Sequence, residues 1–259
     1  MAATTRRKRK ARRAATSTPS PAGSRKAASA RRLPERRARR RGPPPTRANP
    51  GRSSRERAPA LPVPSALLDA TAKPEVVEVP ARTVVAIDGA GPPDSAAFGL
   101  SLGALYGAVY GLKFARKRTG STFRIGPLEG RWWAEGAPAV GRAPPEAWKW
   151  RLRLGVPADV SEGELADVIR AATTRKGGKL EGSAEAVRVR LERIAPAKLG
   201  RILHHGPYAA EPRSFASLDA EVDVAGLRPA RSHLEVYLSD PRRTAPERLR
   251  TVLLRELAE

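Results

Sequence analysis

The sequence predicts an α+β domain built from two related halves and preceded by a basic leader. Three observations lead there. Runs with every second residue apolar, the pattern of a strand with one buried face, occur in AWKWRLRLGV, AVRVRLERI and HLEVYLSDP. Apolar residues spaced by three and four, the pattern of a helix buried along one ridge, recur at Phe98, Leu102, Leu105, Val109 and Leu112. VEVPARTVVAIDGAG and LERIAPAKLGRILHHGPY both read as strand, proline turn, strand and glycine corner, each followed by a helix and then more strand. Two copies of a β-α-β-β unit fit that spacing.

The leader differs in kind from the rest. Residues 1–60 hold 20 Lys or Arg against two acids, giving +18 of the chain's net +23, with no aromatic residue and one Leu. So little can be buried that the entropy of ordering is not offset, and disorder is expected. Two basic runs stand out, Arg6, Arg7, Lys8, Arg9 and Lys10, then Arg36, Arg37, Arg39, Arg40 and Arg41. Such runs neutralise phosphates and release counterions, so non-specific nucleic acid is one expected partner, and a solvated tail without a partner is the alternative. Residues 61–73 read as a linker and 74–259 as the folded domain, which carries a net charge of only +5.

Composition excludes several classes. Without cysteine there are no disulfides, thiolate metal sites or cysteine nucleophiles, and a cytoplasmic location is expected. His204 and His205 are adjacent and would face opposite ways on a strand, so neither a metal nor another cofactor is expected. The charged N-terminus has no apolar region behind it for a secretory signal. Ser95–Leu112 is uncharged over 18 residues, yet its four glycines and two tyrosines suit a buried amphipathic helix better than a membrane span, and no membrane partner is expected.

Taken in order, two β-rich runs broken at Pro80 come first, then a helix capped by Asp94 or Ser95 and running to about Arg118. Gly99, Gly103, Gly107 and Gly111 stripe that helix, which suggests close packing against another backbone or a flat ligand, because each costs about 1 kcal/mol relative to Ala. STFRIGPLEGRWW and AWKWRLRLGV follow as strands. Val160, Ser161, Glu164 and Leu165 form a capping box with a staple, opening a helix to Gly177. A strand with Val187, Val189 and Leu191 on one side, the strand KLGRILHHGPY, a helix over 212–226 and the strand HLEVYLSDP come next. Thr244 and Glu247 read as the cap of a C-terminal helix carrying Leu249, Val252, Leu253 and Leu257.

The acid in HLEVYLSDP raises the functional question. Leu234, Val236 and Leu238 share one face of the strand, and His233, Glu235 and Tyr237 share the other. Either that second face is wet and Glu235 is an ordinary solvated acid, or it lines a cavity where Glu235 anchors a cationic or aromatic ligand or acts as a base. Trp132 and Trp133 are adjacent and so face opposite sides of a strand, Trp150 shares a face with Leu152 and Leu154, and Tyr208 follows a Gly-Pro corner of the kind that rims cavities.

GPLEGRWW, WKWRL, LHHGPY and LEVYLSDPRRTAPERLRTVL together resemble the GyrI-like small-molecule-binding family, and within it the stand-alone branch of cyclopropanoid cyclopropyl hydrolases. The resemblance runs from about Pro74 to Leu257. It implies duplicated β-α-β-β (SHS2-like) units forming an antiparallel sheet with helices on one face and a ligand cavity on the face away from the helices. It further implies a cavity carboxylate at Glu235, an aromatic pair at Trp132 and Trp133, helix tyrosines at Tyr106 and Tyr110, and a corner tyrosine at Tyr208. Nothing before Pro74 supplies a helix-turn-helix, so a transcription regulator is disfavoured.

The function expected is binding of hydrophobic, aromatic or cationic small molecules in an aromatic pocket. Its hydrolytic version has Glu235 activate a water that opens a cyclopropane, with Tyr208 or Tyr110 bonding the oxygen where charge develops. Tyr106, Tyr110, Trp132, Trp133, Trp150 and Tyr237 are the ligand-binding candidates. The alternative is a nucleic-acid-associated protein acting through its basic tail.

Overall fold

The computed structural model describes residues 60–173 and 183–258. Both basic runs of the leader and the end of the helix expected to reach Gly177 lie outside these residues. The described chain is an α+β fold with eight strands: β1 (Glu75–Val79), β2 (Arg82–Ala90), β3 (Leu128–Trp133), β4 (Lys149–Val156), β5 (Arg190–Ile194), β6 (Ala197–His205), β7 (Arg228–Tyr237) and β8 (Arg250–Ala258). Its helices are α1 (Ala96–Arg118), α2 (Glu162–Thr173), the single turn α3 (Ser183–Ala186) and α4 (Glu211–Val224). None of the described helices is long and apolar enough to cross a membrane.

The strands form one antiparallel sheet in the order β1-β6-β8-β7-β3-β4-β2-β5. The two halves are β1-β2-α1-β3-β4 and β5-β6-α4-β7-β8, as the internal echo predicts, and they meet where β3 pairs with β7. The two strands on either side of each proline turn do not pair with each other. Instead β1 lies on β6 and β5 lies on β2, so each half lends its first strand to the edge of the other.

Local chemistry explains the elements. Ser95 accepts from the Phe98 amide at 3.2 Å to cap α1, and Ser161 and Glu164 exchange the two bonds of the capping box at the start of α2. Along α1 the glycine stripe is mostly exposed. Gly99 and Gly103 meet nothing, while at Gly111 a Cβ would lie 2.3 Å from Val168 of α2, so one of the expected close approaches exists there.

The expected C-terminal helix is instead β8, a central strand between β6 and β7. Thr251, Leu253 and Arg255 turn to one side of the sheet and Val252 and Leu254 to the other, and both sides are buried, so the alternation that marks a half-buried strand is lost. The Thr244 and Glu247 signal leads only into a short turn at Pro246–Arg248. Val187 is exposed and precedes β5 rather than lying in it.

Both long helices pack on one face. Leu105, Val109 and Leu112 of α1 bury against Val85, Ile87, Leu152 and Leu154, and Leu218 and Val222 of α4 bury against Ile202 and Leu253. The opposite face is covered differently in each half. Over β6, β8 and β7 it is apolar, and residues 61–73, expected as a linker, supply Val63 and Leu67 to that core. The segment is tied down by bonds from Leu203 N to Thr71 O and from Arg201 to Ala66 O, and Gly155 lacks the Cβ that would collide with the Pro62 carbonyl. Over β3, β4, β2 and β5 the same face carries ion pairs, Arg82 with Glu129 at 2.6 Å, Arg153 with Glu192 at 2.8 Å and Arg151 with Asp88 at 2.6 Å.

Candidate functional site

The register across the seam places the site. Gly130 stands opposite Glu235, Trp132 opposite His233 and Leu128 opposite Tyr237, with Trp150 and Leu152 beyond them on β4. All these residues lie on the helix-bearing face. The cavity therefore lies between α1 and α4, which corrects the expectation of a cavity on the face away from the helices. The two helices pack at the outer parts of the sheet and leave the seam uncovered. The resulting cleft measures about 1500 Å³ and is mostly apolar-lined, by Phe98, Leu102, Tyr106, Trp132, Trp148 and Phe215 among others.

Glu235 lies on the floor of this cleft and is 8% exposed, so it is not a solvated acid on a wet face. A buried charge needs compensating hydrogen bonds. His233 Nε2–H donates to Oε1 at 2.8 Å and the Tyr237 hydroxyl donates to Oε2 at 2.6 Å. The Trp132 indole N–H in turn donates to the Tyr237 oxygen at 3.0 Å, which leaves the tyrosine proton directed at the carboxylate. Phe215 of α4 packs its edge on the His233 ring at 4.7 Å and fixes it. Each carboxylate oxygen offers about two acceptor positions, so Glu235 keeps capacity for a water or a cationic ligand.

A second wall comes from the corner between β6 and α4. Gly206 turns the chain at φ 125°, and His204 clamps the turn, its Nε2 within 3.2 Å of the Pro207 carbonyl and its Nδ1 within 2.9 Å of the Ser214 hydroxyl. Tyr208 follows, half-exposed at the rim, its ring edge-on to Tyr237 at 6.1 Å. Burial first, then the charges of Glu235, Glu211 and Asp240, push its hydroxyl up to about 12, so it is a proton donor at neutral pH. Burial followed by the Glu235 charge and bond raises Tyr237 well above the usual tyrosine range. On the α1 wall burial also raises Tyr106.

Of the sequence candidates, Glu235, Tyr208, Tyr106, Trp132 and Tyr237 line this cleft together. Three others lie outside it. Trp150 is fully buried in the core, its ring filling the space over Gly89, where a Cβ would sit 2.0 Å away. Trp133 turns to the opposite face, under the Arg131 guanidinium at 5.3 Å. Tyr110 is 44% exposed on α1, between Tyr106 and Phe114. Several lining residues were not among the sequence candidates, including Phe98 and Trp148, which read as core, His233, which was placed beside Glu235 without a role of its own, and Glu211, which precedes the helix expected over 212–226.

The chain matches no protein-family profile and no curated protein sequence. Among solved structures it is similar to three from Listeria innocua. An uncharacterized conserved protein is 29% identical with a TM-score of 0.67, the match covering 75% of this chain and 96% of that one. One hydrolase is 28% identical with a TM-score of 0.66 over 75% and 96% of the two chains, and another is 28% identical with a TM-score of 0.62 over 73% and 93%. The chain shares its fold with these proteins, and the duplicated halves described above agree with the fold that the resemblance to GyrI-like domains implies.

Proposed function

We propose that this protein binds hydrophobic, aromatic or cationic small molecules in the seam cleft and hydrolyses those that carry an electrophilic ring, working in the cytoplasm. The observation that carries the reading is Glu235, a carboxylate sunk in an aromatic cavity and oriented by His233 and Tyr237. A cation gains both the anion and the ring faces. With a neutral electrophile, Glu235 takes a proton from a water as that water attacks, and a strained cyclopropane conjugated to a carbonyl is a fitting target. Tyr208, protonated and without a hydrogen-bond partner among the described residues, is placed to donate to an oxygen gaining charge. The similarity to two Listeria innocua hydrolases supports the hydrolytic form.

The test is Glu235→Gln assayed on an activated cyclopropane. A positioned base contributes about 100- to 10,000-fold, so turnover should fall by that much while ligand binding persists. Unchanged turnover sinks the hydrolytic reading, and the absence of any bound hydrophobic cation or aromatic in a thermal-shift screen sinks the binding one.

The +18 charge of residues 1–60 favours a second, compatible reading in which the tail holds the protein on nucleic acid. Deleting the tail should then abolish salt-sensitive DNA retention and leave turnover by the purified domain unchanged.

A further inference from the structure

Glu211 has no role in the reading above, yet its surroundings are unusual. It is the first residue of α4, only 7% exposed, and it lines the cleft that Glu235 floors. Its Oε1 is buried without a hydrogen-bond partner, and no ion pair to it exists among the described residues. Of the cationic side chains lining the cleft, Arg255 is paired with Asp219 at 2.6 Å and Arg242 with Asp240 at 3.1 Å, while the exposed Arg142 makes no ion pair with Glu211 among the described residues. The titratable groups that act on it or respond to it are Glu235 and Tyr237 of β7 and Tyr208 of the preceding turn, none of them a cation.

A carboxyl so placed holds its proton. The start of a helix favours an anion by about 0.3–1 kcal/mol, but dehydration first and the Glu235 charge second outweigh that and push Glu211 up to about 9. One aromatic cleft thus contains two carboxyls in unlike surroundings, Glu235 bonded by two donors and Glu211 holding its proton with no hydrogen-bond partner for its buried Oε1 among the described residues. Two carboxyls given such different surroundings in one site are the arrangement that divides acid from base.

We propose that Glu211 is the proton donor of this site, delivering its proton to the substrate oxygen that gains charge while Glu235 deprotonates the attacking water. The inference rests on the hydrolytic reading above and takes from it a neutral substrate whose ring bond is conjugated to a carbonyl oxygen. The step balances. The water oxygen forms a bond to the ring carbon and gives a proton to Glu235, the strained C–C bond breaks, and its electron pair passes through the conjugated system to the carbonyl oxygen, which takes the Glu211 proton. The product is an alcohol and an enol or phenol, and solvent returns the proton from Glu235 to Glu211.

The experiment measures kcat and KM against pH from 6 to 10 for the wild type, Glu211→Gln and Glu235→Gln, with a cyclopropane fused to a cyclohexadienone as substrate. Wild-type turnover should fall on an alkaline limb near pH 9, and Glu211→Gln should lose about 100- to 10,000-fold in kcat, keep its KM, and lack that limb. Full turnover by Glu211→Gln with the limb intact overturns the donor role and leaves the Glu235 reading standing. No turnover by the wild type overturns both. Should Glu211→Gln fail to fold, the wild-type profile decides, because a flat alkaline side is incompatible with an essential acid of this kind.

Discussion

Gly130 faces Glu235 directly across the seam between β3 and β7, and a methyl group on Gly130 would lie 2.8 Å from the Trp132 indole nitrogen and 3.1 Å from the Tyr237 hydroxyl oxygen. The relay of hydrogen bonds that ends on the carboxylate therefore runs over a residue with no side chain. Gly130→Ala is expected to part Trp132 from Tyr237, with an overpacking cost of about 1–3 kcal/mol. Turnover and ligand affinity should fall while the fold is retained, as judged by circular dichroism and a cyclopropane assay on the same sample.

Removing one oxygen tests the relay from its middle. Tyr237→Phe leaves the Trp132 indole N–H without an acceptor and Glu235 with His233 as its one remaining donor. An unsatisfied buried polar group costs about 1–3 kcal/mol, so urea unfolding should report a loss of that size, accompanied by reduced turnover. Trp132→Phe in the same background should cost less than it does in the wild type, since the two changes remove one shared interaction.

Stability should depend on pH through Glu211. Its folded-state value of about 9 lies above the ordinary 4.5, so between those values the native state binds a proton that the unfolded chain has released. Stability contributed by this group is complete below about pH 4.5 and is lost as pH rises towards 9. Melting temperatures of the wild type should therefore fall relative to Glu211→Gln over that range, and parallel curves would refute the assignment.

On the far side of the sheet the pair of Arg82 and Glu129 is almost fully dehydrated. Arg82→Met leaves a buried carboxylate uncompensated and should cost about 3–5 kcal/mol, whereas replacing both residues by apolar ones of similar size should recover most of that loss. Denaturant titration of the single and double variants checks this.

Leu67 is fully buried against the same face, in the core that includes Leu234, Val236 and Val252. Leu67→Ala should cost about 2–5 kcal/mol by urea unfolding.

The sequence made the halves and most of their elements readable, and the reasons are local. β4 alternates because its apolar face meets α1 and its other face carries ion pairs, β7 alternates because its apolar face meets the segment over 61–73 and its other face floors the cleft, and α1 and α2 carry caps whose side chains bond as their spacing requires. β8 misled because a strand buried on both faces has the same apolar density as a helix. Glu235 was legible as an odd acid in a strand. The face it turns to was not, because periodicity separates two faces without saying which one the helices cover. Glu211 was invisible for a related reason. An acid opening a helix is ordinary, and only the fold shows that this one is buried at the wall of an aromatic-lined cleft.

The crossed placement of β1 and β5 ties the halves into one object. Cut to a single repeat, the polypeptide would have a first strand with no edge to join and a sheet edge with no strand upon it, and a second identical molecule would satisfy both. The fold is thus that of an arm-exchanged dimer written into one gene. Its cleft lies where two subunits would touch, so each lining wall is free to diverge alone, and Glu211 and Glu235 both stand on the second repeat.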